Sequence, residues 1–306
     1  MSVVDAPLVG HEEARALLRR VGAPSLAFVG PPSVGRRAAA LWFARRLNCE
    51  APGDDPCGRC ASCRAFASGV HPDLMIKAPP DRTASGRRTQ RPRLRIDQMV
   101  PRDGSHVDPE PLSRWLEQRP RFRRRVGIVD DADTLGREAG NAFLKTLEEP
   151  PSWATIVLIA RSPAALLPTL ASRCLIVRFG AAPVDDFADL APHPALRTGQ
   201  RGRLLAARAE PEAHAELRDA AGGFVAALDG PLGEALSAAE AWTRLRQERP
   251  DLTAGEVLLE HLRRDAPRRY AGALDVVRDA ERALEAYVST SVVATALALR
   301  LRAVAD

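Results

Sequence analysis

The sequence predicts an α/β domain with a parallel sheet, followed by helical domains. Five short apolar runs, the candidate strands, lie between residues 25 and 179: SLAFV, DLMIKA, RRVGIVD, WATIVLIA and CLIVRF. The segments between these runs are long enough for crossover helices, which favours a parallel sheet with helices on both faces. After a predicted hinge at 180–183, only helical periodicity remains. We therefore expect an α/β domain over 1–180, a small helical domain over 181–210 and a helical C-terminal domain over 211–306.

Charge and hydropathy bear on whether the protein binds DNA, spans a membrane or is secreted. The net charge of +5 is local, because residues 79–125 carry 13 arginines against 6 acids, or +7, which leaves −2 for the remainder. This arginine excess could form a DNA-binding surface, although a solvated face with a mobile loop at 79–93 is the simpler interpretation. We find no apolar run of membrane-spanning length and no signal peptide, so we expect a cytoplasmic protein.

The first candidate strand leads into GPPSVGRR, residues 30–37, which has the form of a P-loop. In the P-loop pattern G-x-x-x-x-G-K-[ST], backbone N–H groups hold phosphates, the lysine reaches the outer phosphates and the hydroxyl binds Mg²⁺. Gly30 and Gly35 keep the two glycines, whereas Arg36 and Arg37 replace the lysine and the hydroxyl. Because a guanidinium is bulkier than an ammonium group, we predict a degenerate loop. The alternative is an active ATPase in which Arg36 substitutes for the lysine.

A second candidate nucleotide motif is VGIVDDAD, residues 126–133, an apolar strand that ends in acids. This is the form of a Walker B segment, in which Asp130 would hold Mg²⁺ and Asp131 would follow it. In ATPases of this architecture the second position is usually a glutamate, which is one methylene longer. The alternative interpretation is that these acids cap a helix that begins near Leu135.

Four cysteines lie within 15 residues, in the spacing C-x7-C-x2-C-x2-C: Cys49, Cys57, Cys60 and Cys63. Four thiolates at such spacing are typical of a closed tetrahedral zinc site, which has no open position for chemistry. The alternatives are reduced free thiols and disulfides, and a reducing compartment disfavours the disulfides. We therefore predict structural zinc, bound by this cysteine cluster.

Two further segments carry the remaining candidates. NAFLKTLEEPP, residues 141–151, has the periodicity of an amphipathic helix that Pro150 would end. SRC, residues 172–174, stands at a predicted helix-to-strand junction. By itself, Arg173 is most simply a surface arginine and Cys174 a small core residue.

Taken together, these motifs resemble the clamp-loader branch of the AAA+ ATPases, and within it the family of bacterial DNA polymerase III delta-prime subunits. They span the first 180 residues in order, and the segments are VGHEEA at 9–14, GPPSVG at 30–35, the cysteine cluster, RIDQM at 95–99, VDDAD at 129–133, NAFLKTLEEPP at 141–151 and SRC at 172–174. The resemblance implies an AAA+ P-loop domain over 1–180, a small helical lid over 181–210 and a helical collar for oligomerisation over 211–306.

The resemblance also implies a function. Arg173 would be an arginine finger that acts in trans on the ATP of a neighbouring subunit, because the SRC arginine has this role in the family. Delta-prime subunits often lose their own ATPase activity, and here Ala160 and Arg161 fall where a sensor Thr or Asn is expected. The implied partners are the ATPase (tau/gamma) and delta subunits of a pentamer, with the sliding clamp and primer-template DNA reached through the complex.

Two other functions remain open at this point. One is an active tau/gamma-like P-loop ATPase, which would bind and hydrolyse its own nucleotide. The other is a zinc-stabilised DNA-binding module that uses the arginines of 79–125. The function implied by the resemblance is a non-catalytic clamp-loader subunit with structural zinc and no functional ATP. It accounts better than either alternative for Arg36 and Arg37 in the P-loop.

Overall fold

The structure is a computed structural model, and it describes residues 10–51, 53–80, 93–101, 110–181, 202, 210–248, 254–286 and 288–304. The chain divides into two compact units, residues 1–182 and 183–306. The predicted lid at 181–210 lies outside the described residues except for positions 181, 202 and 210, so the boundary between lid and collar stays a prediction. The predicted loop at 79–93 lies outside them except for positions 79, 80 and 93.

The first unit contains a parallel sheet of five strands, one at each predicted run. The strands are β1 (Ser25–Val29), β2 (Leu74–Lys77), β3 (Arg125–Val129), β4 (Ala154–Ala160) and β5 (Leu175–Arg178). They lie in the order β2-β3-β4-β1-β5, and every neighbouring pair is parallel. All residues of β1 and β4 are buried, as expected for strands covered on both faces. The α/β prediction is confirmed.

Helices cover both faces of this sheet. They are α1 (Glu12–Arg20), α2 (Arg36–Asn48), α3 (Ala61–Ala67), α4 (Ile96–Met99), α5 (Leu112–Glu117), α6 (Arg137–Glu148) and α7 (Pro168–Ala171), with 3-10 turns at Ala132–Thr134 and Pro163–Ala165. Side chains alternate along a strand, so Leu26 and Phe28 of β1 pack in the core beneath α1 and α2. Ala27 and Val29 pack in the core that includes α5 and α6. Helix α6 ends two residues before Pro150, as predicted.

In the second unit, the described residues form helices only. These are α8 (Pro211–Ala227), α9 (Leu232–Glu248), α10 (Ala254–Asp265), α11 (Pro267–Glu285) and α12 (Thr290–Ala303). They pack around one apolar core in which the side chain of Trp242 is fully buried. Beside this core, Arg246 Nε donates to Glu281 Oε1 at 3.0 Å. A C-terminal helical region is thus confirmed. In both units, none of the described helices combines the length and apolar character needed to cross a bilayer.

Candidate functional site

The P-loop-like segment, residues 30–37, lies at the carboxyl end of β1, where the chain turns into α2. Gly35 is the residue before α2 and has a left-handed φ of 104°, while Ser33 has a φ of 63°, which is uncommon for a residue with a side chain. At Gly30, an added Cβ would lie 2.1 Å from the carbonyl oxygen of Phe179. Gly30 is therefore required by the close approach of the chain that leaves β5, whether or not a phosphate binds.

His11 holds this loop from the other side, and the sequence patterns did not single it out as a site residue. Its Nε2 lies 2.7 Å from the carbonyl oxygen of Val34, and its ring packs edge-on to that of Phe179, with centroids 5.2 Å apart. In the sequence, His11 was part of the segment VGHEEA, but no role was predicted for it. No spacing rule connects it with Val34, which follows 23 residues later.

Arg36, which replaces the P-loop lysine, turns into the protein. Its side chain is buried, with 8% of the residue exposed, and Nη1 donates to the carbonyl oxygen of Ala160 at the end of β4. Burial lowers the pKa of Arg36, and the acids after β3 oppose that effect. The guanidinium is thus held by a backbone carbonyl at the carboxyl edge of the sheet.

Arg37, which replaces the Mg²⁺-binding hydroxyl, pairs with the candidate Walker B carboxylate. Its Nη1 lies 2.8 Å from Asp130 Oδ2, so a guanidinium sits where the metal was predicted. Asp131 has a left-handed φ of 47°, and its N–H donates to Asp130 Oδ1 at 3.1 Å. Asp131 precedes the 3-10 turn Ala132–Thr134 but makes no capping hydrogen bond with its side chain. Helix α6 begins after Gly136 and has no side-chain cap, so the capping alternative is wrong.

The predicted sensor position also lacks a nucleotide-sensing side chain. Ala160 is fully buried, and its carbonyl oxygen accepts the Gly30 N–H at 3.3 Å as well as the Arg36 side chain. Arg161 Nε lies 3.7 Å from Asp133 Oδ2. Arg36, Arg37 and Arg161 are therefore each paired with a protein oxygen at this edge of the sheet.

The four cysteines converge at the other end of α2. Their sulfur atoms all lie within 4.8 Å of one another, and they form no disulfide. A tetrahedral zinc with Zn–S bonds of about 2.3 Å would separate its sulfurs by about 3.8 Å, so a small contraction of the cluster would accommodate the ion. Backbone N–H groups point at the sulfurs: Cys57 N lies 3.3 Å from Cys49 Sγ, and Cys63 N lies 3.4 Å from Cys60 Sγ. The residues present fit a closed four-thiolate site.

The environment of the cluster differs from one thiol to the next. Backbone N–H groups of Arg59 and Cys60 lower the pKa of Cys57 to about 6. Burial raises the pKa of Cys63 to about 12, and a hydrogen bond from the Arg45 side chain opposes that effect. Arg45 was not a predicted site residue; it reaches Cys63 from α2, one turn before Cys49. A bound divalent cation would supply the charge that keeps all four thiols deprotonated.

The cluster is anchored to the sheet at the amino end of β3. Asn48, the last residue of α2, is fully buried, and its Oδ1 accepts the N–H groups of Arg123 and Arg124 at 3.1 and 2.9 Å. Arg123 Nη1 also donates to the carbonyl oxygen of Cys49 at 3.0 Å. Helix α2 has 13 residues, so the cluster lies about 20 Å from the P-loop at 1.5 Å per residue.

Arg173 lies just after α7, on the surface of the first unit. Its side chain is 34% exposed, and its Nε bonds to Glu148 Oε1. Its Nη1 donates to the carbonyl oxygen of Thr169 at 2.9 Å and to Ser172 Oγ at 3.3 Å. The structure therefore places Arg173 beside the end of α6, with two of its nitrogens hydrogen-bonded to protein groups. The neighbouring Cys174 packs against the core, where burial raises its pKa to about 12, in keeping with a core residue.

Comparison with known proteins identifies the family. The model of the family described as "DNA polymerase III, delta subunit" matches residues 19–183, more than half of the chain. Relatives named DNA polymerase III subunit delta' are 33% identical to it in Pseudomonas aeruginosa, over 147 residues, and 33% identical in Escherichia coli K12, over 159 residues. These matches cover 48% and 51% of this chain, and 40% and 42% of those relatives' own lengths.

Two further similarities concern related subunits. DNA polymerase III subunit tau of Bacillus subtilis is 31% identical over 161 residues, which are 52% of this chain and 25% of that protein. A crystal structure of a gamma subunit-related protein from Thermotoga maritima covers 96% of this chain and 99% of its own, with a TM-score of 0.49 and 16% identity. The matched segment of the family model includes the P-loop, the cysteine cluster and Arg173. The chain therefore belongs to the DNA polymerase III delta-subunit family, and the predicted resemblance to delta-prime subunits is confirmed.

Proposed function

We propose that this chain is a non-catalytic subunit of the DNA polymerase III clamp loader. It would complete a pentamer with the ATPase (tau/gamma) and delta subunits. Through that complex it would help to open the sliding clamp and place it on primer-template DNA in the cytoplasm. The observation that carries the non-catalytic part is the pairing of Arg37 with Asp130 at 2.8 Å.

In that pairing, the positive charge beside the Asp130 carboxylate comes from an arginine of this chain, where a P-loop ATPase would have Mg²⁺. Mg²⁺ in a P-loop ATPase bridges the phosphates and a Walker B acid. Here the acid Asp130 is neutralised by a guanidinium from the loop itself, and Arg36 is bound to a backbone carbonyl instead of a phosphate. Binding ATP would require both contacts to break and the buried Arg36 to be moved. The loop is thus kept for its fold, which Gly30 and His11 hold in place.

Arg173 would supply the catalytic function in trans. A guanidinium can contact γ-phosphate oxygens bidentately and offset the charge of the phosphoryl-transfer transition state, which accelerates hydrolysis by about 10³- to 10⁵-fold where it operates. Its exposed position after α7 supports this role, because a neighbouring subunit's nucleotide can reach only a surface group. Arg173 would then act on ATP that another chain binds.

Zinc would have a structural role in this proposal. Cys49, Cys57, Cys60 and Cys63 would hold it, joining the end of α2 to the start of α3. Four thiolate ligands leave no coordination position for substrate. The distance of about 20 Å from the loop, given by the length of α2, also separates the metal from nucleotide chemistry.

The contacts of the arginine-rich segment argue against a separate DNA-binding module. Arg124 donates to Thr155 Oγ1 at 3.0 Å and to the carbonyl oxygen of Ser152 at 2.9 Å. Arg125 donates to the carbonyl oxygen of Pro72 and lies over the ring of Trp115, 4.4 Å from its centroid. These two side chains therefore bind protein groups around β3.

The first test is a calorimetric titration of Mg·ATP into the isolated zinc-loaded chain. We expect no binding up to millimolar nucleotide. A variant that restores the P-loop residues, Arg36→Lys with Arg37→Thr, serves as the comparison, because it removes both internal contacts. One-site binding and turnover by the unmodified chain would instead establish the active-ATPase alternative.

The second test is the DNA-stimulated ATPase of the reconstituted complex with Arg173→Ala. Hydrolysis at the site that Arg173 serves should fall about 10³-fold, with assembly intact. Arg178→Ala is the matched control, because Arg178 is an exposed arginine on the adjacent strand β5. An unchanged ATPase in the Arg173 variant would remove the trans role, and salt-steep DNA binding by the lone chain would favour the DNA-binding alternative.

A further inference from the structure

The surroundings of Arg173 include a carboxylate whose position is unusual for a helix. Glu148 is the last residue of α6, Glu149 follows with a φ of −130°, and Pro150 prevents continuation. A negative side chain at a helix C-terminus is disfavoured, because the helix dipole already places partial negative charge there. A residue that departs from this local rule is a candidate for a functional role. The contact that Glu148 makes is with the Arg173 guanidinium.

We propose that Glu148 is the positioning residue of Arg173, holding its guanidinium in the orientation in which it meets a neighbouring subunit's nucleotide. This inference rests on the proposed trans role of Arg173. It concerns a different residue, and it can fail while that role stands.

The hydrogen bonds of Arg173 define the orientation. Glu148 accepts from Nε, and the carbonyl oxygen of Thr169 and the hydroxyl of Ser172 accept from Nη1. Because the guanidinium is planar, bonds to two of its nitrogens from different chain segments fix the whole plane. Within the described part of the chain, Nη2 makes no hydrogen bond, so its donors are the ones left to contact phosphate oxygens.

Stability alone does not explain the pair. The two side chains are 34% and 45% exposed, and ion pairs so open to water contribute little to the free energy of unfolding. What the pair does provide is a restriction on a long side chain that would otherwise sample many rotamers. A preoriented group loses less conformational freedom when it meets its ligand, which favours catalysis by correct placement.

The effect should appear in turnover and not in nucleotide affinity. Glu148 is not expected to touch the partner's ATP, so its loss should leave KM for ATP unchanged. A misplaced guanidinium would stabilise the transition state less, so kcat should fall about 10-fold, less than for loss of Arg173 itself. Glu148→Gln keeps a carbonyl oxygen that can accept from Nε, so it should retain more activity than Glu148→Ala.

The experiment compares four variants in the complete reconstituted complex: Arg173→Ala, Glu148→Ala, Glu148→Gln and the Glu148→Ala/Arg173→Ala double variant. Glu149→Ala is the matched control, because it removes the adjacent exposed acid, which has no side-chain partner among the described residues. We expect wild-type kcat for Glu149→Ala. If Glu148 acts through Arg173, the double variant should be no slower than Arg173→Ala. Thermal melting of each isolated chain checks that all variants are folded.

The outcomes separate the two proposals. An unchanged ATPase in Arg173→Ala would overturn the trans role and the positioning role with it. A slow Arg173→Ala complex with an unchanged or faster Glu148→Ala complex would overturn only the positioning role. A double variant clearly slower than Arg173→Ala would also overturn it, since Glu148 would then act by another route.

Discussion

Replacing Gly30 by alanine tests whether packing requires a glycine at the start of the P-loop-like segment, residues 30–37. The first atom of any side chain at Gly30 would lie 2.1 Å from the carbonyl oxygen of Phe179 and 3.0 Å from its carbonyl carbon. These are backbone atoms, so no rotamer change relieves the overlap. Relief requires that the P-loop move away from the chain that leaves β5.

The contacts around Phe179 determine the size of the effect. Its N–H donates to the carbonyl oxygen of Val29 at 2.7 Å, and its ring lies 5.0 Å from that of Phe28 and 5.2 Å from that of His11. Overpacking costs about 1–3 kcal/mol, and a weakened backbone hydrogen bond adds about 1 kcal/mol. We therefore expect Gly30→Ala to lower the free energy of unfolding by about 2–4 kcal/mol.

Urea unfolding followed by tryptophan fluorescence measures this change, because Trp42, Trp115 and Trp153 lie in the first unit. Gly22→Ala is the matched control: no atom lies within 4 Å of its added Cβ, so its midpoint should stay close to that of the unmodified chain. A Gly30→Ala midpoint equal to that of Gly22→Ala would refute the packing argument. The glycine would then have to be explained by phosphate binding.

Three further predictions concern the cysteine cluster and its surroundings. Elemental analysis should find one zinc per chain. Removal of this metal by a chelator should then lower the melting temperature of the first unit, because the cluster would lose the ion that joins α2 to α3. Arg45→Ala should weaken zinc binding about 10-fold in a chelator competition, because a cation that compensates the thiolates is lost. Burial lowers the pKa of His71 below 6.5, so the unfolded chain binds a proton that the folded chain does not. The free energy of unfolding should then be level above about pH 7 and decrease below it, and His71→Gln should remove this dependence in pH-dependent unfolding.

Each of these predictions has a control. Chelation should leave the melting of a variant with all four cysteines replaced by serine unchanged, and zinc-free native protein would contradict the metal site. Arg45→Lys keeps the charge and should lose less affinity than Arg45→Ala; equal zinc affinity in all three proteins would contradict a role for Arg45. For His71, whose ring stacks on Phe66 and bonds to Ser62 Oγ, identical pH slopes in variant and wild type would contradict the argument.

Much of the first unit follows from local sequence rules. The five strands were predictable because burial of apolar and β-branched side chains is favourable. The lengths of these runs also match those of buried strands. The end of α6 was predictable because a proline cannot continue a helix. Four cysteines in close spacing indicated a common site, since so short a chain segment cannot keep them far apart. The residues after position 180 gave no comparable signal beyond helical periodicity, because many helical bundles share it.

The partners of the arginines were decided by the tertiary structure alone. Arg36 meets a carbonyl 124 residues away, Arg37 meets Asp130 at a separation of 93, and Arg173 meets Glu148 at a separation of 25. The sequence determined which side chains stand at the positions of the P-loop lysine and hydroxyl, and from these we predict a degenerate loop. Whether those guanidiniums point at solvent, at a phosphate or at the protein depends on which strand ends the parallel sheet brings together. Periodicity describes neighbours along one helix or strand, whereas these contacts join different elements at the carboxyl edge of the sheet and beside α7.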